Sequence, residues 1–323
     1  EGWAAVSAVD GMIVRFDPAA APEGRWTDYL GGVIRVLQDI GAAPPGGQIA
    51  VASTVPVGAG LSSSAALSVA AARALSQLAG PRLSREALAE VAYHAEHDVV
   101  GVQCGRMDQM IAAHGKARQA LLIETSNGEI EGIPFELPVL LIETGVAHRL
   151  AESEYNRRRA ECSAALEACR VAGVEVAALA AVPEADLERL SRAMEPVLFR
   201  RLRHVVMETV RTRAAAAALR KADFEATGQL LLEGHRSIRD DFESSCGEAD
   251  RIVESAVRHG AWGARLTGGG WGGTVLVLAP DERMSALTKA LTDDFRREVG
   301  RPPTTWMARA SGGVRSERPT SPS

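Results

Sequence analysis

The sequence predicts an α+β chain in two domains that meet near residue 138. Three observations predict this. First, at roughly 100–200 residues per domain, a chain of 323 residues allows two domains or one large one. Second, short strand-like runs alternate with amphipathic helices before Pro138, whereas a mostly helical stretch from about residue 150 to 259 follows it. Third, strands return after that stretch, around a second glycine-rich segment. Hydrophobic residues are 46% and charged residues 24% of the chain, a composition that suits a globular protein with a sizeable core.

The elements follow from local pattern. Trp3 to Val9 and Met12 to Phe16 read as hairpin strands around Asp10-Gly11, a dipeptide that favours a type I′ turn. A helix from Trp26 to Ile40 carries Leu30, Val33, Ile34 and Leu37 on one face, and Gly41 with the Pro44 to Gly47 cluster ends it. Gln48 to Val55 alternates as a strand. An Ala-rich helix follows the first glycine segment and stops at Gly80-Pro81. A second helix spans about Arg85 to His97 with Ser84 as its expected N-cap. A short helix begins near Asp108, Ala120 to Glu124 is a strand, and Asn127-Gly128 is a turn. Val139 to Glu143 is the first strand of the second domain. Breaks near Gly173 and Pro183 divide the long helical region. Ala264 to Leu278 is strand with a glycine-rich interruption, Met284 to Val299 a helix, and Thr304 to Arg309 a strand. The expected domains are 1–138 and 139–312, with a polar, disordered tail over 313–323.

Several function classes fall away. The net charge is -5, which argues against nucleic acid or an anionic membrane held mainly by positive charge. No run of roughly 18 apolar residues is present to span a membrane, and the first thirty residues hold no basic-then-apolar signal pattern. Cys104, Cys162, Cys169 and Cys246 form no CxxC pair or zinc spacing, which suits free thiols in the cytoplasm. Lysine occurs at Lys116, Lys221 and Lys289, and none completes GxxxxGK[ST].

The strongest local signal is Val55-Pro56-Val57-Gly58-Ala59-Gly60-Leu61-Ser62-Ser63-Ser64-Ala65-Ala66. Glycines let backbone approach a ligand. The serines then open a helix, whose free N–H groups and positive dipole end favour an anion. The alternative is a loop that merely caps the helix. The coincidence of strand, proline, spaced glycines and three serines favours the anion site. The second glycine segment, Thr267 to Thr274, has five glycines in six positions. Ordering so many glycines is costly, so it reads either as a tight hairpin bend or as a loop approaching substrate.

Among acidic and aromatic candidates, Asp108 stands just after a glycine-punctuated loop, where a lone Asp is most often a cap. His94-Ala95-Glu96-His97-Asp98 lacks a third ligand for zinc; one carboxylate on Mg²⁺ beside bound phosphates suits it better. Tyr155 lies among charges, and the Arg157-Arg158-Arg159 triplet reads as a solvated helix face. Gly234 to Asp241 reads as an exposed helix end.

Taken together, these segments resemble the GHMP small-molecule kinases, and within them the galactokinases. Pro56 to Ala66 resembles the phosphate motif PxGxGLSSSAA, and Gly101 to Gln109 the stretch GxxCGxMDQ. His148-Arg149-Leu150 through Arg158 resembles HxLxxSEYNxRR, and His235 to Phe242 resembles SHxSLRDDF. Thr267 to Gly273 resembles TGGGFGG, with Trp271 in place of the usual Phe. The resemblance implies a GHMP kinase fold, with a mixed sheet and helices in the N-terminal domain, an antiparallel sheet and helices in the C-terminal one, and the active site between them. It implies transfer of the ATP γ-phosphoryl group to the anomeric hydroxyl of galactose, with ATP and Mg²⁺ as cofactors and a monomer as the expected state. Asp108 would be the catalytic residue, with Gly105, Asp108 and Tyr155 on the sugar. Pro56, Gly58, Gly60, Leu61, Ser62, Ser63, Ser64 and Ala65 would hold ATP from one side, and Thr267, Gly268, Gly269 and Gly270 from the other. Ser64 and Glu96 match the metal ligands. The alternatives are another sugar kinase of this fold, such as one for N-acetylgalactosamine, or a sugar and ATP sensor without turnover. The family's first motif, GRVNLIGEHTDYNxG, has no counterpart here, so the chain is expected to start after it and to show weak or no activity by itself.

Overall fold

The computed structural model describes residues 2–80, 82–146 and 151–317. The chain divides into two compact units. One takes residues up to 57, 62–132 and 310 onward, and the other takes Gly58–Leu61 and Ile133–Arg309.

In the first unit, β1 (Trp3–Ser7) pairs antiparallel with β2 (Ile13–Phe16) and parallel with β3 (Gly47–Val51), giving the order β2-β1-β3. The β1–β2 connection is not the type I′ turn that Asp10-Gly11 suggests, since only Gly11 takes positive φ (66°). Asp10 Oδ1 instead accepts the Met12 N–H at 3.0 Å, and the Gly11 N–H reaches Ser7 O at 2.8 Å. That side-chain bond holds Asp10 out of the left-handed region and leaves the left-handed residue to glycine. Helix α1 (Trp26–Asp39) buries Leu30, Val33, Ile34 and Leu37 completely, each contributing about 1.5–3 kcal/mol relative to exposure. They pack with Trp3 and Ala5 of the sheet, with Ala72 and Leu75 of α2 (Ser63–Ala79), and with Leu88 and Val91 of α3 (Arg85–His94). Ser84 caps α3 as expected, accepting the Ala87 N–H at 3.2 Å.

The helix expected through His97 changes at Ala95 into a π-helical turn, Ala95–Val100, closed by Gly101 at φ 86°. Alpha-helix α1 lies close against this turn, since a Cβ on Gly32 would fall 2.8 Å from the Ala95 carbonyl oxygen. Helix α4 (Met107–His114) and the ladder of β4 (Gln119–Ile123) and β5 (Ile130–Pro134) follow. The polar segment after Ser311 is not free over residues 313–316. Gly313 N–H donates to Gly115 O at 2.7 Å and Val314 N–H to Ala112 O at 2.9 Å, while Ser316 Oγ accepts from Arg73 Nε at 2.9 Å.

The second unit is built on an antiparallel sheet of β6 (Val139–Glu143), β7 (Gly263–Thr267), β8 (Thr274–Leu278) and β9 (Thr305–Ala308), in the order β7-β8-β6-β9. The helices are α5 (Ala151–Val171), α6 (Leu187–Ser191), α7 (Pro196–Arg220), α8 (Phe224–Asp240), α9 (Gly247–Arg258) and α10 (Met284–Val299). Leu140, Ile142, Leu266, Val275 and Val277 of the sheet pack on Ile252 and Ala256 of α9 and on Leu287, Leu291 and Phe295 of α10. A separate cluster, including Cys169, Leu190, Leu202 and Val206, joins α5 to α7. Alpha-helix α8 covers the edge strand β7 closely: a Cβ on Gly263 would lie 2.0 Å from Gly228 O.

Two polar segments are buried where the sequence suggests solvent. Arg158 is 2% exposed, whereas Arg157 and Arg159 face solvent. Arg158 and Arg201 share the Glu161 carboxylate, with Arg201 Nε at 2.6 Å, and Arg201 also binds Glu243. In α8, His235 and Ser237 are buried. Interhelical packing selects these faces, and nothing local in the sequence marks them.

Candidate active site

Each unit assembles part of the set of residues singled out in the sequence. In the first unit, α2 begins directly after Ser62, which takes the left-handed conformation (φ 57°). Its side chain makes no capping bond, in contrast to Ser84 at the start of α3. The first-turn amides of α2 therefore lack a side-chain cap, as an anion site requires and a simple cap does not. Ser63, Ser64 and Ala65 form that first turn.

The π-helical turn turns Glu96 inward to 2% exposure. Gln109 Nε2 donates to its Oε1 at 2.9 Å, and the Ser64 side chain also lies close to the carboxylate. Ser68 Oγ, fully buried, faces the same group without closing a hydrogen bond. Burial raises the Glu96 pKa, the Asp108 charge adds to that, and the Gln109 bond with the nearby Ser64 hydroxyl opposes it. Asp108 is half-buried at the second position of α4 and is not the cap of that helix, a place Arg106 occupies. Gly105 is exposed, lacks positive φ, and a Cβ there would meet nothing within 4 Å.

His94 and His97 both bind Asp98, with Nδ1 at 2.6 Å and 2.7 Å from its two oxygens. Among the described residues no group of three or more His, Cys, Asp or Glu is placed to hold a metal. Glu96 with Ser64 still fits magnesium, which takes one or two carboxylates, keeps waters and uses substrate phosphates for the rest. The buried Gln109 Oε1, which has no hydrogen-bond partner, leaves an acceptor beside the carboxylate for such a water.

In the second unit the two glycine segments lie against each other. Gly58 and Gly60 take φ of 79° and 71°. Ala59 is buried, and its carbonyl accepts the Thr274 hydroxyl at 2.7 Å. A Cβ on Gly60 would lie 3.5 Å from Gly273 Cα, and one on Gly268 3.4 Å from Gly60 O. Thr144 secures the far side, its N–H and hydroxyl donating to Gly273 O at 2.8 Å and 3.0 Å. A Cβ on Gly269 would lie 3.9 Å from the Tyr155 ring, which brings the expected sugar contact to the second loop. Trp271, at φ 54°, donates its N–H to Ser244 O at 2.6 Å, and the Arg158 guanidinium sits 5.8 Å from its ring centroid. Thr267 ends β7, so Gly268 to Gly270 begin the loop at the sheet edge. Pro56 precedes these glycines on the first-unit side of the break. His148, Arg149 and Leu150, part of the tyrosine-bearing motif, lie outside the described residues.

Sequence reasoning assigned no role to Gln109, Tyr29, Thr274 or Thr144. Tyr29 is half-buried, and its pKa is raised by burial and then by the Glu96 charge, which places it by the same carboxylate. Gln109 carried a signal, since it closes the quoted stretch that includes Asp108, and Tyr29 carried another, since Trp26 to Gly32 resembles the family's W-x-x-Y-x-x-G helix.

Comparison with known proteins supplies the family. Residues 28–116 match the family described as GHMP kinases N terminal domain, and residues 215–297 match GHMP kinases C terminal. The galactokinase of Thermotoga maritima is 39% identical over 280 residues, 85% of this chain and 77% of that protein. The Streptomyces coelicolor galactokinase is 40% identical over 306 residues, covering 93% and 78%. The crystal structure of Lactococcus lactis galactokinase complexed with galactose superposes with a TM-score of 0.91 at 28% identity, covering 96% of this chain and 83% of that one. Methanococcus jannaschii mevalonate kinase, at 18% identity and a TM-score of 0.64 over 96% of this chain and 85% of that one, shares the fold. This chain, with a GHMP kinase fold, belongs to the galactokinase family.

Proposed function

We propose that this sugar kinase transfers the γ-phosphoryl group of ATP to the anomeric hydroxyl of galactose, giving galactose 1-phosphate. The observation that carries the reading is the buried Glu96 carboxylate, beside Ser64 at the uncapped start of α2 and within electrostatic reach of Asp108. The relatives that bear the name galactokinase support the choice of sugar.

Phosphoryl transfer leaves a protein little covalent chemistry, so positioning and charge do most of the work. In this reading the N–H groups of Gly58 to Ala65 face the phosphates, and the Gly268 to Gly270 backbone bounds them. Glu96 and Ser64 hold Mg²⁺, which when bound neutralises phosphate charge. Gly105 has neither a φ nor a packing reason to be glycine, so its bare backbone leaves room for the sugar, and Tyr155 contacts a sugar hydroxyl. The anomeric oxygen attacks the γ-phosphorus as the bond to the β–γ bridging oxygen breaks. ADP leaves with that electron pair, and the hydroxyl proton passes to the Asp108 carboxylate. The four cysteines, all free thiols, suit a cytoplasmic setting for this reaction.

The test is ADP release by the full-length gene product with MgATP and either galactose or N-acetylgalactosamine. Galactose-dependent ADP release with matching sugar 1-phosphate is expected. Turnover with N-acetylgalactosamine alone assigns a different sugar, and binding of galactose and ATP without turnover assigns a sensor.

A further inference from the structure

We propose that His235 is a positioning residue for the 267–273 glycine loop: its bare Nδ1 takes the Leu266 N–H and fixes where the loop leaves β7. Strand β7 lies at the edge of its sheet, where outward N–H groups have no strand to pair with. Leu266, the residue before Thr267, finds its acceptor in a side chain, with His235 Nδ1 at 3.3 Å. A ring nitrogen that accepts carries no proton, so the proton of the neutral imidazole sits on Nε2. Nε2 stands 3.0 Å from Asp250 Oδ1, the acceptor that tautomer needs. The ring is 2% exposed, so water does not compete for either nitrogen.

The same carboxylate reaches the other limb of the loop. Asp250 Oδ1 also accepts the Ser245 hydroxyl at 2.6 Å. The neighbouring Ser244 carbonyl takes the Trp271 N–H at 2.6 Å, and a Cβ on Gly270 would fall 2.6 Å from that oxygen. One carboxylate on α9 thus refers both Leu266 and Trp271 to a fixed point. The segment between needs such anchors, since Gly268, Gly270, Trp271, Gly272 and Gly273 all take positive φ and belong to no regular ladder.

A histidine that merely stabilised the core would lose comparable stability whichever of its two bonds were removed; a positioning residue would not respond symmetrically. His235→Asn places an amide oxygen where Nδ1 stands, keeping the Leu266 bond and losing the Asp250 one. His235→Gln places an amide nitrogen near Nε2, keeping Asp250 and losing Leu266. Two readouts are compared: hydrogen exchange of the peptide containing Leu266, and the separate KM values for MgATP and galactose. Losing an acceptor for a buried N–H amounts to about tenfold or more. His235→Gln is therefore expected to speed exchange at Leu266 and raise KM for MgATP by about tenfold, with KM for galactose little changed. His235→Asn is expected to stay near the unaltered protein in both. Equal effects of the two variants, or a larger effect of Asn, would overturn the proposal. The kinetic arm rests on the proposed function. If the full-length gene product shows no turnover, that reading fails by itself, while the exchange comparison still decides the role of His235. Should His235→Gln not fold, unprotected Leu266 in His235→Asn overturns the proposal and protected Leu266 supports it.

Discussion

Asp108 and Glu96 are carboxylates that feel each other's charge, yet their surroundings differ. Glu96 is buried, with Gln109 donating to it and Ser64 close by, as suits a fixed ligand. Asp108 is half-buried on the first turn of a helix that it does not cap, a setting that suits the proposed proton acceptor. Asp108→Asn keeps size and hydrogen-bonding capacity but cannot take that proton. It is expected to lower kcat by about 10²–10⁴-fold, the usual worth of a general base, with the thermal midpoint of unfolding nearly unchanged. Steady-state kinetics beside a melting curve checks both halves, and undiminished turnover removes Asp108 from the chemistry. Both carboxylates were legible in the sequence, Asp108 inside a stretch of family pattern and Glu96 within the His94 to Asp98 cluster of histidines and acids. The nearness of Tyr29 to Glu96 was not, since it comes from the packing of α1, which no local pattern encodes.

Two consecutive helices begin after a serine, and the two serines do different things. Ser84 precedes α3 in extended conformation and accepts the Ala87 N–H. Ser62 precedes α2 in the left-handed region and caps nothing. Ser84→Ala is therefore expected to cost about 1 kcal/mol of stability, whereas Ser62→Ala is expected to stay within about 0.5 kcal/mol. Urea unfolding of both variants measures the difference; equal losses would mean that Ser62 is an ordinary cap after all. The sequence announces each helix start equally well, because a cap and an anion-binding turn use the same residue types. It announces turns at Asp10-Gly11 and Asn127-Gly128 too, yet not their type. At both, the Asx side chain accepts the N–H two residues on, and glycine alone turns left-handed. Strand β6 and helix α10 fall where periodicity placed them, since each presents an unbroken apolar pattern to one core.

Across the whole molecule, what local pattern could not show was return of the chain to distant partners. Residues 310–317 rejoin the first unit through backbone bonds that any residue type can make, and Gly58–Leu61 belongs with the second, where the Thr274 hydroxyl donates to the Ala59 carbonyl. Burial of polar groups is the other non-local property, and it makes acid stability testable. His204, on α7, is 9% exposed, stacks on Phe242 at 4.3 Å and lies 3.0 Å from Ser237 Oγ. Burial, partly opposed by Glu208, lowers its pKa from 6.5 to about 4. The folded unit then holds His204 neutral while an unfolded chain protonates it near 6.5. Between those values the unfolded state binds more protons, so stability is complete above pH 6.5 and lost as pH falls toward 4. The full loss is about 3 kcal/mol. Glu208, Asp250 and Glu243 have lowered pKa values and act later, below the ordinary carboxylate range near 4.5. His114 in the first unit has the same sign as His204, and Glu96, whose pKa is raised, the opposite sign. The contribution of His204 is isolated by His204→Phe, which retains an aromatic ring against Phe242 and cannot titrate. Unfolding followed from pH 7 to 4.5 is expected to show a decline in the unaltered protein that is shallower in His204→Phe by about one proton's slope. Identical slopes in the two proteins would show that this histidine is not held neutral by the fold.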